Sequence, residues 1–453
     1  YTRMQGGPLE KNAPGAGMAL SLSTISFTAC FAVWTIFSII GVQIKKDLGL
    51  TEAQFGLLAG APILTGSLIR VGLGVWADRV GGRRLSLGLM LSAAAATLLL
   101  TRAQTYPQFL LGALGVGVAG GVFAVGVAYV SKFFPKSRQG TALGVFGAGN
   151  VGSAVTKLLA PMVMLAFGWK AVAEVWALAL AVIAVVSFLL TRDEPGLAER
   201  RVAAQTNTLA KPASSPLLKL QVWRFALYYF FVFGAFVALA LWLPHYLVGV
   251  YGLDIRVAGL LAAAYSIPGS VFRVVGGWLS DKIGARRVMY ITFGVSVICT
   301  FILSYPPTQY VIEGVRGPIS FRLALGLVPF VVLLFVLGFA MSLGKAAVYK
   351  HIPVYYPDSI GAVGGLVGMV GGVGGFVLPI VFGALNDLTG VWTSCFMLLF
   401  VLVATALAWM HLAVRRMERA RTPQLSNLPE LPEMEALHPA PSALTAVIRG
   451  QNP

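Results

Sequence analysis

Residues 69–84 read IRVGLGVWADRVGGRR, and residues 272–287 read FRVVGGWLSDKIGARR. In each stretch an arginine lies among apolar and glycine residues, eight positions before an aspartate, and a basic cluster follows. The two arginines, Arg70 and Arg273, are separated by 203 residues, and so are the two aspartates. Such an echo indicates a chain that is built from two similar halves.

The composition is that of a membrane protein. The 453 residues are 57% hydrophobic and only 11% charged, whereas soluble domains carry about 25% charged residues. Hydrophobic runs of about 20 residues, each long enough to cross about 30 Å of hydrocarbon as a helix, recur along the chain. They are also too long and too uniformly apolar for β-barrel strands. We therefore predict an all-α membrane protein with twelve transmembrane helices in two six-helix halves. The predicted spans are 18–42, 55–77, 85–101, 108–131, 141–167, 170–190, 223–248, 257–279, 287–304, 323–349, 360–384 and 390–412.

The net charge of +17 reflects the orientation of the chain in the membrane rather than binding of nucleic acid. With the N-terminus in the cytoplasm, 23 of the 34 lysines and arginines fall in cytoplasmic segments and 7 in outer loops. This asymmetry follows the positive-inside rule. We predict a multi-pass protein of the cell (inner) membrane, surrounded by lipid, with both termini cytoplasmic and no nucleic-acid partner.

Polar segments divide the chain into five parts. A cytoplasmic tail, 1–17, precedes the N-terminal half at 18–190. A linker at 191–222, rich in charged residues, proline, serine and alanine, leads to the C-terminal half at 223–412. The proline and charge content of 413–453 predicts a disordered cytoplasmic tail. Two six-helix halves with internal echoes are typical of secondary transporters, in which the substrate binds near the midplane between the repeats.

The two buried arginines predict an anion site. Arg70 precedes Asp78 by eight residues, which is about 12 Å along a helix and close to the midplane. An arginine facing lipid there costs from about 2.5 to more than ~10 kcal/mol, depending on the method. No aspartate or glutamate lies well inside a predicted helix, and Glu174 is near an outer end. An anion from solution would satisfy two such guanidiniums; snorkelling or bonds to backbone carbonyls is the alternative.

The turns ADRVGGRR and SDKIGARR resemble the loop motif of the major facilitator superfamily. In that family the aspartate and the basic residues form ion pairs between helices that gate the inward opening. The resemblance places these gating residues at Asp78, Arg83, Arg84, Asp281, Arg286 and Arg287.

Two glycine-rich runs narrow the choice of anion. Small residues let helices approach closely, which makes a central cavity narrow and favours a small anion over a bulky ester. GAGNVGSAVTKLLAP (147–161) and GMVGGVGGFVLPIVFG (368–383) resemble the signature segments of the NarK/NasA-type nitrate/nitrite porters. The resemblance covers roughly 18–412. The signature glycines are Gly147, Gly149, Gly152, Gly368, Gly371, Gly372, Gly374 and Gly375.

The resemblance also implies a substrate site, since arginines of the second and eighth helices hold the planar anion in this family. An asparagine follows a signature glycine, and aromatic residues line the site. Without the family, an aromatic residue on an apolar helix equally fits core packing or a lipid-facing position. The implied substrate-binding residues are Arg70, Arg273, Asn150, Phe123, Tyr229 and Phe233.

Two lysines depart from the common family pattern. Many members read GNGAVFK near the end of the tenth helix, whereas this chain reads GKAAVYK with Lys345. Lys157 replaces a common glutamine in the first signature segment. Burial and neighbouring positive charge both disfavour the charged form of a lysine, so both residues are candidates for proton coupling. Bonds from the lysines to backbone carbonyls are the alternative. His351, at the inner mouth, is interpreted as a solvated loop residue, with a proton relay as the alternative.

The predicted function is secondary active transport of nitrate, with nitrite as a second substrate, by a monomer without cofactor or enzymatic activity. Inward movement of one negative charge costs about 2.3 kcal/mol per 100 mV, so uptake needs coupling. The lysine-bearing branch of the family resembles nitrate:proton symporters, which makes symport the leading hypothesis. Nitrate/nitrite exchange is the alternative, and an organophosphate exchanger is a more distant one.

Overall fold

Twelve consecutive membrane spans make up nearly all of the described chain. The structure is a computed structural model that describes residues 12–198, 219–356 and 360–421. The N-terminal half contains spans 1 to 6. Their helical segments are Ala16–Trp34, Ile36–Ser38 and Ile40–Leu48 (span 1); Glu52–Val80 (span 2); Gly82–Leu99 and Leu100–Arg102 (span 3); Tyr106–Val116, Gly117–Gly121 and Val122–Ser131 (span 4); Lys136–Gly147, Ala148–Val151 and Gly152–Phe167 (span 5); and Trp169–Leu190 (span 6).

The C-terminal half contains spans 7 to 12 and a β-hairpin that the sequence analysis did not anticipate. Strands β1 (Thr308–Gly314) and β2 (Gly317–Leu323) pair antiparallel between spans 9 and 10. The helical segments are Leu220–Tyr229, Phe230–Ala235 and Phe236–Tyr251 (span 7); Ile255–Val271 and Arg273–Ile283 (span 8); Ala285–Leu303 (span 9); Leu327–Tyr355 (span 10); Ile360–Thr389 (span 11); and Ser394–Arg421 (span 12).

These helices confirm the predicted fold class. Within the described residues, ten helices are long and apolar enough to cross a membrane, and the two segments of span 8, bent by 41°, add an eleventh. Span 2, which contains Arg70, completes the set with 29 residues, about 43 Å of helix. We call the end of the bundle where span 6 ends and span 7 begins the linker end, and the opposite end the far end.

The predicted domain boundaries differ from the helix ends at three places. Span 1 begins at Ala16, inside the predicted N-terminal tail. Span 7 begins at Leu220, inside the predicted linker, and span 12 continues to Arg421, inside the predicted tail. The remaining parts of these segments, 199–218 and 422–453, lie outside the described residues, as does 1–11.

The repeated basic turns have a common backbone geometry. Gly81, between spans 2 and 3, has φ 95°, and Gly284, between spans 8 and 9, has φ 86°. A side chain strains the backbone at such angles, so glycine is the residue that fits. The repeated stretches 69–84 and 272–287 therefore share, in part, the same tight turn.

Glycines also set how closely the spans pack. A Cβ on Gly152 of span 5 would meet the backbone carbonyl of Thr28 in span 1. The same holds between halves, where Gly56 and Gly60 of span 2 face the backbone of span 11 at Pro379 and Phe376. Backbones that touch in this way leave no room for side chains.

A Gly152→Ala substitution should therefore destabilise the bundle by about 1–3 kcal/mol, the typical cost of overpacking. Gly144→Ala, on the same span, is the matched control because a Cβ there has open space. Thermal unfolding of the purified protein in detergent measures both variants. Equal melting temperatures for the two variants would contradict the packing argument.

Candidate functional site

Arg70 lies in an aromatic cage in the middle of span 2. Its guanidinium carbon is 5.2 Å from the centroid of the Trp34 ring, 5.4 Å from Phe123 and 6.0 Å from Phe233. Its Nε donates a hydrogen bond of 3.2 Å to the carbonyl of Gly120. The rings stabilise the cation through their quadrupoles, and the bond through Nε leaves the two Nη groups for another acceptor.

Arg273 occupies the corresponding place in span 8, directly after the bend at Phe272. Its guanidinium carbon is 5.9 Å from the ring of Tyr349, and its side chain lies against Gly147, at the start of the first signature run. Its buried Nη1 finds no partner among the described residues. Arg273 thus contacts both halves and carries an unused donor.

Stacked aromatic rings connect the two arginines. Phe233, beside Arg70, stacks on Tyr229 with centroids 5.1 Å apart and an interplanar angle of 11°. Tyr229 meets Tyr349, beside Arg273, edge to face at 5.0 Å. The arginines therefore border one continuous aromatic surface supplied by spans 7 and 10.

Asn150 adds a second unused donor. It lies in the 3-10 segment that follows Gly147, is 1% exposed, and has no partner for either amide atom among the described residues. A buried amide without a partner costs about 1–3 kcal/mol. Asn150 therefore offers an unused donor and an unused acceptor within the first signature run.

Three signature glycines make room for the site. A Cβ on Gly147 would contact Arg273, one on Gly368 would meet the hydroxyl of Tyr349, and one on Gly371 would collide with the Tyr229 ring. Gly149 and Gly152 serve the contact between spans 5 and 1, whereas Gly372, Gly374 and Gly375 bring span 11 against spans 2 and 7. The glycine runs therefore leave space for the aromatic rings and the Arg273 guanidinium, and they let the neighbouring helices pack closely.

The site has an electrostatic imbalance. In the described part of the chain, neither guanidinium forms an ion pair with a carboxylate. Two positive groups, flat aromatic walls and an unused amide together suit a small planar anion.

Both lysines donate hydrogen bonds to span 8. Lys157 donates to the hydroxyl of Ser266 at 2.9 Å and to the carbonyl of Ser153 at 3.2 Å. Lys345 donates to the carbonyl of Gly269 at 2.6 Å, and its amine is 3.2 Å from the centroid of the Phe236 ring. Both lysines are fully buried.

The chain matches the family model for the Major Facilitator Superfamily over residues 22–317 and 258–451. A "Probable nitrate/nitrite antiporter NarK1" from Thermus thermophilus is 41% identical over 92% of this chain and 96% of the relative. The "Nitrite extrusion protein" of Bacillus subtilis is 31% identical over 86% and 94%, respectively. A "Probable nitrate transporter NarT" from Staphylococcus aureus is 31% identical over 87% and 95%.

The chain belongs to the Major Facilitator Superfamily, in its NarK-type nitrate/nitrite porter family. Among solved structures, a bacterial homolog of the human lysosomal transporter Spinster has a similar fold. Its TM-score is 0.69 at 16% identity, and the match covers 89% of this chain and 98% of that one.

The observed partners of the residues assigned to gating lie outside the two motif segments. Arg83 pairs with Asp193, at 3.7 Å, and donates from Nε to the carbonyl of Phe188. Asp281 pairs with Lys350 of span 10 at 2.5 Å. Arg286 is buried, Arg84 and Arg287 are exposed, and the Asp78 side chain lies outside the described set. Each observed pair joins residues of one half, Arg83 of span 3 to the segment after span 6 and Asp281 of span 8 to span 10, so each stabilises its own half at the linker end.

A carboxylate, Glu194, fastens the start of the linker. It is 3% exposed, accepts hydrogen bonds from the backbone N–H of Gly82, and lies 3.7 Å from the Lys132 amine. The predicted linker is thus anchored beneath the turn between spans 2 and 3.

Sequence reasoning missed two members of this porter site and misplaced one histidine. Trp34 lies beside Arg70 and Tyr349 beside Arg273. In the sequence, each is only an aromatic residue on an apolar helix, at about the level of the arginines. The interpretation of His351 as a solvated loop residue is wrong. His351 is buried within span 10, where Nδ1 bonds the carbonyl of Ala347 at 2.8 Å.

The far end of the porter is closed by a polar cluster between the halves, which we call the far-end lock. Glu52 of span 2 is 2.6 Å from Nε2 of His245 in span 7 and 3.0 Å from the amine of Lys45. Asp387 of span 11 accepts hydrogen bonds from the backbone N–H groups of Glu52 and Ala53 at 3.0 and 2.8 Å. A carboxylate at a helix N-terminus is stabilising.

A Glu52→Gln substitution should favour opening of the far end. Hydrogen bonds to charged groups contribute about 1.5–3 kcal/mol, so we expect the open fraction to rise about tenfold or more. Spin labels at Lys46→Cys and Arg256→Cys, on opposite halves, report the change as a longer distance. Glu174→Gln, an exposed carboxylate near the same end, is the control. An unchanged distance distribution in Glu52→Gln would remove the lock from the mechanism.

Proposed function

We propose that this protein is a secondary active transporter that imports nitrate, with nitrite as a second substrate, across the cytoplasmic membrane. One observation carries the proposal: two guanidiniums border a single aromatic surface between the halves, and no described carboxylate neutralises them. The names of the relatives, which refer to nitrate and nitrite, support this choice of anion.

The donor geometry supports a planar anion. A guanidinium offers a flat fork of N–H groups, and nitrate presents three oxygens in one plane that can accept two parallel bonds. The rings of Phe123 and Phe233 lie beside Arg70, and that of Tyr349 lies beside Arg273. A flat ligand can fill the space between such walls without losing contact.

Alternating access would use the far-end lock. With both termini cytoplasmic, as the positive-inside asymmetry predicts, the far end faces outward and the lock closes the outer path. The half-buried arginines would then be reached from the cytoplasm. Opening outward would break the contacts of Glu52 and rock the halves about the arginines.

Arg70→Lys and Arg273→Lys should each weaken nitrate binding by roughly 10- to 100-fold, because a lysine keeps the charge but loses the planar fork. Binding to purified protein, measured by calorimetry, tests this independently of coupling. Arg256→Lys, an exposed arginine outside the site, is the matched control. Near-wild-type affinity in both site variants would refute the arginine clamp.

For the coupling, we propose nitrate:proton symport through Lys157 and Lys345. Both are buried lysines without a described carboxylate partner, and their amines bind the turns of span 8 that precede Arg273. Loss of a proton would weaken these bonds, so the charge of the lysines would be linked to the position of span 8. Symport of one nitrate with one proton is electroneutral and avoids the voltage cost.

Nitrate/nitrite exchange is the second candidate. The Thermus thermophilus relative is named an antiporter, and exchange requires no titratable group. In that case the two lysines serve only as fixed hydrogen-bond donors, which their short contacts with Ser266 and Gly269 would also permit.

Proteoliposomes distinguish the two modes. Under symport, an inside-alkaline gradient accelerates nitrate uptake, and Lys157→Met and Lys345→Met abolish this response while nitrate counterflow persists. Lys170→Met, an exposed lysine, should behave like wild type. Uptake that ignores pH but accelerates with internal nitrite would establish exchange and refute the proposed symport.

A further inference from the structure

The β-hairpin between spans 9 and 10 has one apolar and one polar face. The strand register pairs Tyr310 with Phe321 and Ile312 with Ile319 on one side. Leu323 belongs to the same side, because side chains alternate along a strand. The other side pairs Gln309 with Arg322, Val311 with Ser320 and Glu313 with Pro318.

The apolar face is exposed in the structure. Ile312 is 51% exposed, Ile319 59% and Phe321 46%, and Val315 at the tip is fully exposed. A lone two-stranded hairpin is marginal in water unless an apolar face is covered. Tyr310 and Phe321 stack across the strands at 5.4 Å, which leaves the outer surface of this aromatic pair for another contact.

The base of the hairpin is held close to the membrane. Four residues, 304–307, join span 9 to β1, and three, 324–326, join β2 to span 10; these connections reach at most about 14 Å and about 11 Å. The adjoining helix turns carry outward apolar side chains, with Phe301 61% and Val328 74% exposed. The apolar face of the hairpin can therefore continue the lipid-facing surface of spans 9 and 10.

We propose that the hairpin lies on the bilayer surface at the far end, with its apolar face in the lipid interface. Aromatic side chains favour this depth, where their rings contact acyl chains and their polar groups stay hydrated. Arg316 at the tip and Arg322 on the polar face can bind lipid phosphates. The unpaired edges of the strands remain in the hydrated headgroup zone, where water satisfies them.

Two observations favour lipid as the partner of the apolar face. Arg316 and Arg322 lie where they can bind phosphates, and the apolar face continues the exposed apolar surface of spans 9 and 10. A second copy of the chain is the competing occupant, and the experiment separates the two. The proposal is independent of the substrate and of the coupling mode.

Site-directed spin labelling tests the contact in liposomes. Ile319→Cys on the apolar face and Ser320→Cys on the polar face are neighbours on β2. The native Cys30, Cys299 and Cys395 are buried and compete little for the label. Val328→Cys serves as the lipid reference and Lys46→Cys as the aqueous reference.

We expect the label at 319 to be several-fold more accessible to oxygen than to a water-soluble nickel complex, as at 328, and the label at 320 to show the reverse. Similar aqueous accessibility at both positions would overturn the proposal. Protection at 319 that appears only at high protein-to-lipid ratio, with spin–spin broadening, would assign the face to a second copy and also overturn it. An unchanged melting temperature in detergent confirms that each labelled variant is folded.

Discussion

Two guanidiniums inside an apolar bundle are the constraint on which the rest of the site depends. A carboxylate beside each would attract the guanidinium but would add a desolvation cost of its own, and it would compete with any anion that enters. Arg70 instead lies among three aromatic rings, which stabilise a cation without neutralising it. The two guanidiniums therefore keep their positive charge, and ring contacts offset only part of the burial cost.

The aromatic rings beside the arginines limit how closely the backbone of span 11 can approach. Tyr229, Phe233 and Tyr349 occupy the space between spans 7, 10 and 11, so span 11 can approach only where it lacks side chains. Gly368 and Gly371 meet that requirement directly. The density of glycine in span 11 is thus a steric result of the aromatic surface, and it also lets span 2 contact the same helix from the other half.

Features that depend on the order and spacing of residues along the chain could be predicted from the sequence. Twelve apolar runs, the repeated Gly81 and Gly284 turns and the matching places of the two arginines in spans 2 and 8 could all be read from spacing and composition. Trp34 and Tyr349 could not, because an aromatic residue on a helix that is apolar all round gives no sign of which side faces the site. The far-end lock was missed for a similar reason, since Glu52, His245 and Asp387 are far apart in sequence. The hairpin was missed because its two seven-residue strands lie between two long apolar runs, and the residues between those runs were interpreted as a loop.

Span 8 connects the arginine site with the lysines. The helix is interrupted at Phe272, so the carbonyl of Gly269, which in a continuous helix would accept from the backbone N–H of Arg273, bonds the amine of Lys345 instead. Lys157 reaches the preceding turn at Ser266 from the other half. One lysine therefore stabilises the bend that aims Arg273, and the other ties that bend to span 5, where Gly147 and Asn150 lie. Any change in these bonds acts on the direction of Arg273, whether a proton causes it or the rocking of the halves does.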